Sequence, residues 1–190
     1  HKVTYVSSLS FQNNDNITGI EFKGSISIAS NAFANCRNLR HANLQNVTSV
    51  GAYAFEGCDS LKEVRSSTLN SIDARAFAEC SSLETVEIEG EERSLSLGES
   101  AFRDCYSLRS VRLEPTIIYR GPQPFDQCDQ LEELYLRNYE YSGGDQPAAP
   151  SEAAPLWELF SNYPDFYTSS LNEVHIGYMD CIPDDFCEGF

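Results

Sequence analysis

At 190 residues and 41% apolar, the chain is long enough for one substantial domain and too apolar to be disordered. Its formal charge of −16 argues against nucleic-acid binding and against anionic membrane surfaces, since both need Lys and Arg to neutralise phosphate; the ordinary consequence of such a charge is solubility. No apolar run approaches the roughly 20 residues that span a bilayer, so membrane insertion is not expected. The given sequence begins at His1 instead of Met with no signal peptide in view, so a processed or trimmed chain is expected, one from which a targeting segment can have been removed.

Taken in order, residues 1–16 read as a lead-in, and periodicity begins at Ile17…Ile20…Phe22, followed by Ile26 and Ile28. A pattern A-F-x-x-C-x-x-L-x-x-φ-x-φ, with φ apolar or a small substitute, then recurs. Its copies are Ala32-Phe33…Cys36…Leu39…Ala42…Leu44, Ala54-Phe55…Cys58…Leu61…Val64…Ser66, and Ala76-Phe77…Cys80…Leu83…Val86…Ile88. They continue as Ala101-Phe102…Cys105…Leu108…Val111…Leu113 and Pro124-Phe125…Cys128…Leu131…Leu134…Leu136. The Phe-to-Phe steps are 22, 22, 25 and 23 residues, a register that composition alone does not produce. Leu171…Val174…Ile176 is a further back half, and Ile182…Phe186 has the look of one more opening before the chain stops at Phe190.

The alternating apolar pair that ends each copy is the pattern of a strand with one buried face. Strands this short are unstable alone, so successive copies must stack as a parallel sheet. The A-F-x-x-C segment follows a second apolar pair, such as Val47…Val50 or Leu69…Ile72, and returns the chain along the opposite wall. Ala fits where the coil packs tightly, and Phe fills the volume between walls. The returns are too short for long helices. The expected fold is a leucine-rich-repeat solenoid: a β-rich right-handed coil with a parallel sheet on one face and short or irregular turns on the other.

The residues of A-F-x-x-C-x-x-L resemble the BspA-like class of bacterial leucine-rich repeats, from Ile17 to Leu136 and again from Leu171. The resemblance implies a curved solenoid and a secreted or surface-exposed protein that binds host or neighbouring-cell proteins; the class also occurs in parasitic protists. Pro124 in place of Ala, and the lack of A-F-x-x-C before Leu171, depart from the pattern.

Cys36, Cys58, Cys80, Cys105 and Cys128 share one repeat position and should form a ladder inside the coil. Strands about 4.8 Å apart bring neighbouring Cα atoms near disulfide range. Ladder side chains run parallel, however, and their number is odd, so reduced thiols acting as small hydrophobes are expected. Zinc needs ligands converging on one point, which a ladder does not offer. Cys181 and Cys187 lie outside the ladder and are free to pair, bind or simply be buried. His41 and His175 fall on strands several repeats apart, so no nucleophile–base pair assembles around them. No phosphate-binding glycine loop is present. Asp180, Asp184, Asp185 and Glu188 match no calcium loop and read as an exposed acidic tail. Asn16-Ile17-Thr18 and Asn46-Val47-Thr48 are glycosylation sequons that matter only in a glycosylating source. No cofactor is expected.

If Val64 and Ser66 point inward, an outward column runs Glu21, Asn43, Arg65, Glu87, Arg112, Tyr135 and His175. Arg65, Glu87 and Arg112 alternate in sign on neighbouring strands, so the expectation is a self-neutralising face. Flanking columns carry Glu63, Glu89, Glu114, Glu133 and Glu173, which leaves room for a basic partner.

From Leu136 to Leu171 the step between strand end and next Leu takes 35 residues, against 17 to 20 elsewhere. The added segment holds Ser142-Gly143-Gly144-Asp145 and Pro147-Ala148-Ala149-Pro150, then Pro155 and the only Trp of the chain, Trp157. The domain is therefore read as one unit: lead-in 1–16, regular repeats 17–137, insertion 138–168, and terminal repeat with cap 169–190. Binding is expected at the insertion aromatics Tyr139, Tyr141, Trp157, Tyr163 and Tyr167, with Tyr135, Arg112 and Glu133 beside them. The competing expectation is that Trp157, Leu159, Phe160 and Phe166 fold back to replace the missing A-F-x-x-C wall. Cys181, Ile182, Phe186 and Phe190 should form a cap, or meet a partner or a second copy. The expected function is a non-enzymatic protein-binding module at the cell surface or outside the cell; the alternatives are an intracellular scaffold or effector, and the recognition domain of a longer enzyme.

Overall fold

The computed structural model describes residues 4–141 and 173–176. Among the described residues twelve strands, all paired in parallel, wind into a solenoid, and no helix forms. Two stacks of strands face each other across the core. The front wall contains β2 (Gly19–Glu21), β4 (His41–Asn43), β6 (Glu63–Ser66), β8 (Thr85–Ile88) and β12 (Glu173–Ile176). The second wall contains β1 (Tyr5–Val6), β3 (Ile26–Ile28), β5 (Val47–Val50), β7 (Ser71–Ile72) and β9 (Ser94–Leu97). Two long strands, β10 (Ser110–Tyr119) and β11 (Glu133–Tyr141), serve both. Ser110–Leu113 pairs with β8 and Thr116–Tyr119 with β9, across a register shift between Leu113 and Thr116. The second apolar pair of each copy is thus a strand in its own right.

The front-wall pattern follows from alternation. In β6 and β8 the second and fourth residues, Val64 with Ser66 and Val86 with Ile88, are buried while their neighbours face outward. Ser66 is tolerated inside because its hydroxyl donates to the Leu44 carbonyl at 3.0 Å, which satisfies the buried oxygen.

The third wall is made of turns, and its geometry repeats with the sequence. Residues two before and two after each Phe adopt left-handed backbone: Leu9 and Asn13, Asn31 and Asn35, Tyr53 and Gly57, Arg75 and Glu79, Ser100 and Asp104, Gln123 and Gln127. These reversals point alternate N–H groups along the solenoid axis. The Phe33 N–H donates to Ala54 (2.8 Å), Phe55 to Ala76 (2.8 Å), Phe77 to Ala101 (2.8 Å) and Phe102 to Pro124 (2.7 Å). Every such bond runs from one coil to the next in chain order. Pro124 is accommodated because this position need only offer its carbonyl to the N–H of the coil before it; what it forgoes is a local N–H bond of 3.2–3.3 Å, seen at Ala32, Ala54 and Ala76.

Inside, the rings of Phe11, Phe33, Phe55, Phe77, Phe102 and Phe125 stack at 5.1–5.7 Å between centroids. Phe11 corrects the reading of residues 1–16 as a lead-in. It lies 22 residues before Phe33 and stacks on it, and β1 pairs with β3. This first copy was hidden because Ser10 and Asn14 replace the Ala and Cys of the motif. The other boundary moves too: Asn138–Tyr141, placed at the start of the insertion, pair with Thr116–Tyr119 as the second-wall half of β11.

Candidate protein-binding surface

Front-wall pairing sets the outward residues in rows. Arg65 lies opposite Glu87, Glu87 opposite Arg112, Arg112 opposite Tyr135, and Tyr135 opposite His175. The column read from the sequence is therefore in register from Arg65 to His175, while Glu21 and Asn43 pair with each other in the separate two-stranded sheet of β2 and β4. Its charge pairing is only partly as expected. Arg65 bridges Glu63 at 3.1 Å and Glu87 at 3.5 Å, whereas Arg112 turns along its own strand to Glu114 at 3.1 Å. The cause is Tyr135: the Arg112 guanidinium lies 4.3 Å from the Tyr135 ring centroid, a cation–π arrangement that draws it toward β11. A hydrophobic body with a fixed cation is the kind of feature interfaces favour.

The flanking glutamates do not form a continuous acidic strip. Thr85 and Ser110 separate Glu63 from Glu133 in one column, and Ser110 donates to Glu133 at 3.2 Å. Other cations are matched in the same way: Lys62 with Glu84 and Arg109 with Glu132 at 2.5 Å, and Arg75 with Glu56 at 2.7 Å. The Lys62 ammonium holds the Glu84 carboxyl below its ordinary range by hydrogen bond and charge.

One edge of this face is closed by a side chain at the corner between the walls, at positions 22 and 25 residues apart. Asn46 donates to the Phe22 carbonyl at 2.8 Å, and the Thr68 hydroxyl donates to the Val47 carbonyl at 2.7 Å with the Gln45 carbonyl 2.9 Å away. Arg93 then donates to the carbonyls of Ser67, Thr68 and Leu69. The longer 25-residue copy is thus tied back onto the coil before it. Its neighbour Glu91 reaches Arg137 of β11 at 2.8 Å. Nothing in the motif marked this series, because three different side chains perform one task.

The cysteine ladder is as expected. All five thiols are free and buried. Each donates to the carbonyl of the Phe one coil earlier, from Cys36 to Phe11 at 3.0 Å through Cys58, Cys80, Cys105 and Cys128 at 3.2–3.3 Å. Burial raises every one of them, and pushes Cys80 up to about 12. Thiols held protonated this way are poor nucleophiles. Among the described residues no cluster of three or more His, Cys, Asp or Glu is arranged to hold a metal ion.

Of the expected binding residues, Arg112, Tyr135 and Glu133 share this face. Tyr139 and Tyr141 take positions opposite Ile117 and Tyr119 on the second wall. Trp157, Tyr163 and Tyr167 lie outside the described residues, as do Leu159, Phe160 and Phe166 of the fold-back reading and the end formed by Cys181, Ile182, Phe186, Cys187 and Phe190.

Six copies of the BspA-type leucine-rich repeat region match this chain, over residues 1–83 and 48–144. The chain belongs to that family. Among solved structures this BspA-type chain is similar to the leucine-rich repeat protein of T. pallidum, with a TM-score of 0.53 and 25% identity over 72% of this chain and 67% of that one. It is also similar to a leucine-rich cell surface protein of Faecalibacterium prausnitzii, with a TM-score of 0.50 and 25% identity over 69% of this chain. It spans 42% of that protein's length. No curated protein matches it. In the described residues no helix is long and apolar enough to cross a membrane.

Proposed function

We propose that this BspA-type chain is a non-enzymatic module that binds a protein ligand at the cell surface or outside the cell. The observation that carries the reading is the front wall. It presents Arg112 over Tyr135 among charges already paired on the chain, so what stands out for a partner is an aromatic–cation feature, the kind that dominates interface energies. The buried, protonated thiols supply no nucleophile, which fits binding better than chemistry. Similarity to a cell surface protein supports the location. The binding patch is proposed to centre on Arg112, Tyr135 and Glu133 of the front wall, with Trp157, Tyr163 and Tyr167 of the late insertion as further binding residues.

The test offers fluorescently labelled chain to intact cells of candidate neighbours. Saturable binding that trypsin treatment of the cells abolishes, and that the Arg112→Ala, Tyr135→Ala double variant weakens at least tenfold, is the expected result. Binding that survives trypsin, or that both substitutions leave unchanged, would overturn it.

A further inference from the structure

Among the described residues, every cation on the front wall from β6 to β11 is already engaged. Arg65 stands on Glu63 and Glu87, Arg109 on Glu132, Arg112 on Glu114, and Arg137 on Glu91. Lys62 takes Glu84, and Arg93 at the corner is occupied by the carbonyls of Ser67, Thr68 and Leu69. An acidic partner would find no cation here without breaking one of these contacts.

Carboxylates are left over. Glu89, Glu92 and Glu133 are exposed and form no ion pair; Glu133 receives only the Ser110 hydroxyl, at 3.2 Å. They flank the Arg112–Tyr135 pair on two sides. Glu133 lies two residues before Tyr135 on β11 and shares its outward face. Glu89 follows Ile88, the partner of Leu113, and Glu92 is in the same corner, where Glu114 receives the Gly90 N–H at 3.4 Å. The sequence after Arg137 holds ten Asp or Glu and no Lys or Arg, so it brings no such cation to them.

A face with matched cations and unmatched carboxylates is complementary to a partner that supplies positive charge. We propose that the ligand of the front wall is a basic protein segment, whose Lys or Arg side chains meet Glu133 on one side of Tyr135 and Glu89 with Glu92 on the other. The inference rests on the front wall being the protein-binding face. Two strand spacings and four residues separate Glu133 from Glu89, roughly 16 Å. One cation cannot serve both, so the segment must carry at least two. Arg112, held 4.3 Å from the Tyr135 centroid, repels a cation from the ring itself and directs the incoming charges to the two flanks.

Fluorescence anisotropy tests this with labelled peptides of one length that alternate Lys and Ser, Glu and Ser, or Gln and Ser. The Lys peptide should bind most tightly, with an affinity that falls as salt rises from about 50 to 300 mM. A Glu89→Gln, Glu133→Gln variant of unchanged circular dichroism should lose at least fivefold. An Asp73→Asn, Glu99→Gln variant, which removes the same charge beside the second wall, should lose less than twofold. A Glu peptide that binds as well as the Lys peptide would overturn the proposal. So would equal losses in the two variants, since net charge alone would then draw the peptide. On intact cells, an excess of the Lys peptide should displace the labelled chain. Cell binding that the peptide cannot displace would overturn the basic partner and leave the protein-binding reading standing.

Discussion

The rings of Phe55 and Phe77 lie 5.2 Å apart with 1° between their planes. That spacing follows from the rise of stacked strands, close to 4.8 Å, and not from a preference of the rings for each other. Each ring is therefore packing material for two coils at once. Phe77→Ala is expected to cost about 3–5 kcal/mol, because the neighbouring coils are held by their backbone ladders and cannot collapse into the gap. Phe11→Ala, at a ring that is 40% exposed, should cost clearly less. Urea denaturation of both variants checks the order; equal losses would contradict the stack.

Gly98 is required by close approach. A Cβ built there would lie 2.5 Å from the Ala74 backbone nitrogen and 2.6 Å from the Asp73 carbonyl carbon. Gly98→Ala must push two coils apart and should lose about 1–3 kcal/mol. Gly57 differs: its φ is +67°, but Asn, Glu, Asp and Gln occupy the same left-handed position in other coils. Gly57→Asn should fold with a smaller loss, set by how easily the Asn35 side chain moves aside. Thermal denaturation of the pair separates the two cases.

Arg93→Ala removes the donors that hold the carbonyls of Ser67, Thr68 and Leu69. A loss of about 1–3 kcal/mol is expected, with faster hydrogen exchange in β9 than in β5. An Arg93→Lys variant should recover only part, since one ammonium cannot span three carbonyls as a guanidinium does. Full recovery by Lys would show that charge alone matters there.

The thiol ladder gives the protein an alkaline weakness. Unfolded thiols lose their protons near pH 8.5–9, roughly, while burial keeps the folded ones protonated, Cys80 to about 12. Above pH 9 or so the unfolded chain binds fewer protons than the folded one, so stability falls as pH rises. Each fully buried thiol contributes a slope of about 1.4 kcal/mol per pH unit until its folded value is reached. The urea midpoint of the parent should drop through this range, and Cys80→Ala should flatten the drop by one proton. Identical slopes would show that the thiols are not the source.

The repeat itself was legible because it is built from side chains of one type at one position. Phe, Cys and Leu recur where the coil is closed on all sides and only one volume fits. The inward and outward columns followed from alternation alone, down to the row that sets Arg65, Glu87, Arg112 and Tyr135 side by side. Where several residues can meet one backbone demand, the signal disappears. The left-handed turn positions hold Leu, Asn, Tyr, Gly, Arg, Glu, Ser, Asp and Gln, and the corner is closed in turn by Asn46, Thr68 and Arg93. The first copy escaped for the same reason, since Phe11 stacks without the Ala or Cys that marks the others. The choice of Arg112 between Glu87, Glu114 and Tyr135 was also beyond the sequence. All three lie within reach of a long side chain, and its direction is settled by the ring on the next strand. Sequence periodicity fixes which residues share a wall; tertiary stacking decides which neighbour a flexible side chain prefers.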